Sequence, residues 1–206
     1  MRKLVLSLAA LALVAAPALA LAKEGKFNKV VAPGEPAPSF SGIPAVMGDK
    51  EETLSLDGIK EDVIVLVFLA NHCPVVTGYE DRIIDLAKDY KGKSVKVIGI
   101  AVADSVDDRL PAIKTRVQKK GYNYSYGYDA SQKIGRDYGA SVTPQFFVLD
   151  KARTIRYTGA MDDSPSAEAN VKKTYVKDAV DALLAGKDVK ETETKATGCG
   201  VSYNKK

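Results

Sequence analysis

Residues 62–74 read DVIVLVFLANHCP: an apolar run over Val63–Ala70 that breaks off into Asn71, His72, Cys73 and Pro74. A run of this length, rich in valine and without alternation, suits a strand buried on both faces, as in a parallel sheet. Pro74 suits the first turn of a helix, where its missing N–H costs nothing. Tyr79, Ile83, Leu86, Ala87 and Tyr90 then recur at helical spacing, and Gly92 stops the helix. The stretch therefore predicts a buried strand that delivers a cysteine to the start of a helix.

Working outward from it, Val95–Val102 (VKVIGIAV) reads as a second buried strand. Asp107 or Asp108 is placed to cap a helix that carries Leu110, Ile113 and Val117 and ends at Gly121. Tyr124–Tyr128 reads as a short strand, in which Tyr122, Tyr124, Tyr126 and Tyr128 alternate along one face. Asp129 with Gln132 reads as a capping box for a short helix ending near Tyr138-Gly139. Thr143-Pro144 precedes an apolar strand, Gln145–Leu149, and Asp150-Lys151 turns it into Thr154–Thr158 as a hairpin. After a polar loop, Met161–Ser166, a last amphipathic helix carries Val171, Tyr175, Val176, Ala179, Val180 and Leu183, and Gly186 closes it. Alternating strands and helices followed by a hairpin define an α/β chain with a central mixed β-sheet and helices on both faces.

The flanks differ in kind. Residues 1–22 open with Arg2 and Lys3, continue through an apolar run, and reach Pro17 and the small-residue patterns Ala18-Leu19-Ala20 and Ala20-Leu21-Ala22. That is the build of a cleavable signal peptide, and the apolar run is short for a membrane span of about 20 residues. The expectation is an exported protein, periplasmic or secreted, with no stable membrane insertion after signal cleavage. Residues 23–37 (with VAPGEPAP) form an extended lead-in. The domain proper then spans 38–190, and the tail 191–206, which holds Cys199, has no periodicity and is expected to be mobile unless something ties it down.

Composition narrows the function. Hydrophobic residues make up 46% of the chain, enough for a core, and the net charge is only +4. Arg2 and Lys3 supply part of that, so the domain has no basic excess that would call for nucleic acid as a partner. One histidine and two cysteines do not complete the usual four-ligand zinc set, so no metal and no other cofactor is expected. Export makes a disulfide durable, and two cysteines allow one intramolecular pairing, Cys73 with Cys199.

Chemistry concentrates at Cys73. The first N–H groups of a helix lack intrahelical partners, and the helix dipole adds partial positive charge there. A thiolate at that place is stabilised and more of the nucleophilic form exists at neutral pH. His72, the sole histidine, is its chain neighbour, but neighbours in an extended segment point to opposite sides. It reads either as direct help or as a rim residue.

FLANHCPVV before an amphipathic helix, with Val142-Thr143-Pro144-Gln145 before a strand and then the FFVLD hairpin, resembles a thioredoxin-fold redoxin. It is similar to the peroxiredoxin-like branch, the alkyl hydroperoxide reductase/thiol-specific antioxidant family, over roughly Pro38 to Gly186. The resemblance implies that Cys73 is the attacking thiol and that Pro144, with Thr143 beside it and His72 and Pro74 near the cysteine, shapes the groove where an extended substrate docks. It implies a cis bond before Pro144. Two departures stand out. Thioredoxins carry a second cysteine where this chain has Val76, and peroxiredoxins carry a Pro and a Thr where it has Leu66 and Ala70.

Cys199, between Gly198 and Gly200, is the candidate resolving partner: it would attack a sulfur held on Cys73 and release the product. The same pair also reads as a structural disulfide pinning the tail. Three functions follow. The first is a thiol-disulfide oxidoreductase acting on a protein or small-molecule disulfide with a thiol reductant. The second is a thiol peroxidase using the same cysteines on a peroxide. The third is a non-enzymatic binding domain on a degenerate redox fold.

Overall fold

The computed structural model describes residues 24–204; the signal peptide read at residues 1–22 lies outside them. The strands are β1 (Ile43–Met47), β2 (Lys50–Leu54), β3 (Val63–Leu69), β4 (Val95–Ala101), β5 (Ser125–Tyr128), β6 (Val142–Thr143), β7 (Gln145–Leu149), β8 (Ile155–Gly159) and β9 (Cys199–Gly200). The α-helices are α1 (Pro74–Asp89), α2 (Leu110–Lys120), α3 (Lys133–Tyr138) and α4 (Tyr175–Leu184). Seven strands form one mixed sheet in the order β2–β1–β5–β4–β3–β7–β8.

The unbroken apolar run explains the centre of that sheet. Every residue of β3 is buried, with parallel β4 on one side and antiparallel β7 on the other. Its side chains alternate between faces, as a strand requires. Val63, Val65, Val67 and Leu69 join the core beneath α1, α2 and α4; Ile64, Leu66 and Phe68 join the opposite core with Ile134 and Tyr138 of α3, with Val31 of the lead-in and with Phe40. Helices thus cover both faces. Tyr122, Tyr124 and Tyr126 all pack into the first core.

Several local expectations are corrected. The β1–β2 hairpin has no counterpart in the sequence reading: β2 (KEETL) buries only Leu54 and is a polar edge strand. The helix after β4 is not capped by Asp107 or Asp108. Its N-cap position is Arg109, with Pro111 in the first turn, and Asp108 ends a preceding 3-10 turn, Val106–Asp108. Asp129 and Gln132 do not form a capping box. Asp129 accepts from the Ser131 and Ile134 N–H groups, while the Gln132 side chain donates to the Val102 and Ser202 carbonyls. The last helix starts at Tyr175, leaving Val171 outside it.

The tail meets the condition that its expectation left open, because something does tie it down. The Glu193 carboxylate accepts from the N–H groups of Lys26, Phe27 and Asn28. Thr194 N–H donates to the Thr158 carbonyl. Farther on, β9 pairs antiparallel with β6, the Tyr203 hydroxyl donates to the Ala140 carbonyl, and Asn204 N–H donates to the Gln132 side chain. Isolated polar residues meet the backbone here, and no hydrophobic period announces such contacts.

Candidate active site

β3 ends at Leu69, and the chain turns through Asn71 and His72, with Cys73 N–H donating to the Ala70 carbonyl at 3.1 Å. Cys73 occupies the N-cap position of α1 and Pro74 its first turn. The next turn begins when Thr77 N–H donates to the Cys73 carbonyl. This is the strand–cysteine–helix arrangement that the spacing predicts. Val76, in the place of a local second thiol, is buried in the core.

The turn before the cysteine is fastened by Asp108, one of the two aspartates that the sequence offers as a helix cap. Asp108 is fully buried. One of its oxygens accepts from Asn71 N–H, and the other lies 2.5 Å from His72 Nδ1. Burial pushes the Asp108 carboxyl up from its ordinary range, against the opposing pull of Asn71 N–H and His72. Asn71 Nδ2 adds a bond to the Asp107 carbonyl at 2.7 Å. The histidine is thereby engaged sideways, with 42% of its side chain exposed, and sits at the rim beside the exposed Pro74.

On the other side of Cys73 stands the β6–β7 junction. The Thr143–Pro144 peptide bond is cis, and the Cys73 sulfur lies 3.2 Å from the Thr143 carbonyl oxygen. Both Thr143 and Pro144 are buried. Cys73 and Cys199, 126 positions apart, are joined as a disulfide with a Cα–Cα separation of 5.9 Å, inside the normal span for such a bond. Strand pairing makes the approach: Thr143 faces Cys199 and Val142 faces Gly200. The structure thus brings together Cys73, Cys199, Thr143 and Pro144, with His72 and Pro74 at the edge.

A cavity of about 280 Å³ opens next to Pro144, lined among others by Tyr79, Met161, Asp162, Tyr175 and Thr197. One of its lining residues, Asp162, belongs to a buried ion pair. Arg82 Nη1 lies 2.6 Å from Asp162 Oδ2, and its guanidinium stacks over the Tyr79 ring at 3.8 Å. Asp162 is not singled out by the sequence, while Asp108 and Gly198 are named there in other roles, as a helix cap and as a flank of Cys199. Among the described residues no cluster of three or more His, Cys, Asp or Glu is disposed to hold a metal, and no helix is long and apolar enough to cross a membrane.

A mixed sheet whose central strand feeds a cysteine into a helix N-terminus, facing a cis-proline loop, defines a thioredoxin-fold redoxin, here with a bonded cysteine pair. The chain belongs to the AhpC/TSA family, whose model matches residues 33–158. A hypothetical protein from Sinorhizobium meliloti 1021 has the same fold at a TM-score of 0.76 and 29% identity, covering 86% of this chain and 97% of that one. An uncharacterized conserved protein from Geobacillus kaustophilus gives a TM-score of 0.75 and 29% identity, over 84% and 92% of the two chains. The thiol:disulfide interchange protein DsbE of Allochromatium vinosum is 28% identical over 137 residues, which is 65% of this chain and 71% of that relative.

Proposed function

We propose that this protein is an exported thiol-disulfide oxidoreductase with Cys73 as the attacking thiol and Cys199 as the resolving one. The observation that carries the reading is the Cys73–Cys199 bond, made beside Pro144 at a helix N-terminus. A helix start favours the thiolate. The name of the Allochromatium relative, a thiol:disulfide interchange protein, supports the same chemistry. Export is supported by the leader composition of residues 1–22 and by a disulfide of the kind that persists outside the cytosol. In this reading 38–190 is the catalytic unit, 23–37 a lead-in and 191–206 a resolving tail.

The steps balance as ordinary thiol–disulfide exchange. The Cys73 thiolate attacks one sulfur of a substrate disulfide; that S–S bond breaks, and the departing sulfur takes the electron pair and a proton from solvent. Cys199, deprotonated, then attacks the Cys73 sulfur, expels the second substrate thiol and closes the Cys73–Cys199 bond. A thiol reductant reopens it. Thr143 and Pro144 form the wall against which the substrate lies, with His72 and Pro74 at the rim.

The peroxidase reading is weakened by Ala70, which is buried and lacks the hydroxyl that would orient a peroxide, and by Leu66 in place of the proline. The deciding experiment follows electrons from reduced protein to a disulfide substrate. Cys73→Ser abolishes transfer, and Cys199→Ser stalls at a mixed disulfide on Cys73 visible by mass spectrometry. Unchanged transfer in Cys73→Ser overturns the proposal.

A further inference from the structure

The tail does more than bring a sulfur close; it shows how tightly the site inspects the residue before that sulfur. Gly198 lies against the Thr143–Pro144 peptide. A Cβ added to it would stand 2.0 Å from the Thr143 carbonyl oxygen, 2.6 Å from that carbonyl carbon and 3.2 Å from the Pro144 nitrogen. These are backbone atoms at a strand pair, so no side chain can swing aside to make room. The need is for space, since Gly198 is not among the glycines with positive φ. Gly200, on the other side of the cysteine, is the opposite case: an added Cβ would meet nothing within 4 Å.

We propose that the Cys73 site selects extended segments with glycine immediately before the reacting cysteine and is indifferent to the residue after it. This deepens the oxidoreductase reading and rests on it. The tail, Gly198-Cys199-Gly200, occupies this docking position as a built-in occupant, paired through β9 with Val142 and Thr143. A partner that reaches Cys73 by the same strand addition meets the same carbonyl. Any side chain before its cysteine forces the strand off Thr143 and pulls the sulfur out of line with Cys73. The substrate class is therefore a polypeptide with an exposed Gly-Cys segment.

The test uses the full chain carrying Cys199→Ser, so that Cys73 is free. Three peptides are offered as mixed disulfides with thionitrobenzoate: Ala-Thr-Gly-Cys-Gly-Val-Ser, its analogue with alanine before the cysteine, and its analogue with alanine after it. Attack by Cys73 on the peptide sulfur forms a peptide–Cys73 disulfide and breaks the bond to thionitrobenzoate, which leaves with the electron pair as a coloured thiolate. The parent peptide and the alanine-after peptide are expected to react equally, and the alanine-before peptide about tenfold or more slower. The chain unfolded in urea should treat all three alike. Rapid reaction with no difference between glycine and alanine before the cysteine overturns the selectivity alone. Reaction of all three no faster than with the unfolded chain overturns both the selectivity and the oxidoreductase reading. In the chain with both cysteines, Gly198→Ala should require a more oxidising glutathione ratio to close the disulfide than Gly200→Ala. Equal ratios would also overturn the selectivity.

Discussion

Thr143 and Cys199 face one another across a two-residue antiparallel pair, while the Cys199 sulfur is bonded to Cys73. The strand pair and the covalent bond hold the same short segment, and separate anchors hold its flanks. Glu193 and Thr194 bind upstream, and Tyr203 and Asn204 bind downstream. Reduction should therefore loosen the middle of the tail and leave both ends in place. Hydrogen exchange on oxidised and reduced protein checks this, with protection expected to fall over residues 195–200 and to persist at Thr194 and Asn204. Loss of protection over the whole tail would mean that the disulfide alone holds it.

The Arg82–Asp162 pair predicts a large, local stability effect. Its side chains are 6% and 5% exposed, and Asp162 also accepts from the Tyr79 hydroxyl and from Ser164 N–H. Asp162→Ala leaves a buried guanidinium without its counter-charge, at a cost of about 3–5 kcal/mol. The exposed Lys133–Asp137 pair should cost less than about 1 kcal/mol when broken. Urea unfolding of Asp162→Ala and Asp137→Ala compares them directly.

Much of this frame is legible in the residues, and what is not has a physical reason. The Val63–Ala70 run announces β3 because burial on both faces removes every polar position from a strand. The Cys73-Pro74 junction and the Thr143-Pro144 step are equally plain, since proline marks where a helix can begin and where a strand can start. β2 is obscure because an edge strand with one buried leucine looks like a loop. Asp108 is obscure for a different reason. An aspartate ahead of a helix reads as a cap, and nothing local reveals that its carboxylate is consumed by Asn71 and His72 from another loop. Gly198 reads as flexible, whereas its role is to leave room for the Thr143 carbonyl.

Glu80 gives a pH signature. Burial alone would raise its carboxyl, but bonds from Arg116, Tyr122 and Lys120 outweigh it and hold the group below the usual glutamate range. Arg116 Nε lies 2.6 Å away and Lys120 Nζ 3.1 Å away. A carboxyl depressed by folding contributes stability that is fully present above its unfolded value and is lost as the pH falls through the folded one. Glu80→Gln should cost about 1–3 kcal/mol at neutral pH. The gap between variant and wild type should narrow as the pH drops below about 4, the ordinary glutamate value. Chemical denaturation at a series of pH values reads both effects; a gap that stays constant down to acid pH would deny Glu80 its charged role.

Asp108 links the turn carrying His72 to the 3-10 turn before α2, and it does so from a fully buried position. Replacing it with alanine leaves Asn71 N–H without its acceptor and frees the His72 ring, and the loss should be about 1–3 kcal/mol. Asn retains an acceptor for one of the two donors, so Asp108→Asn should fall between wild type and Asp108→Ala in urea unfolding. The variants also separate support of the loop from direct action on the sulfur. The His72 ring is turned to Asp108, while the Cys73 sulfur is turned to Thr143 and Cys199. In the Cys199→Ser background, His72→Ala should therefore leave the pH midpoint of Cys73 alkylation nearly unchanged. Asp108→Ala, by loosening the turn that sets the start of α1, should slow alkylation at every pH. A midpoint that moved upward by a full pH unit in His72→Ala would instead place the imidazole among the groups that hold the thiolate.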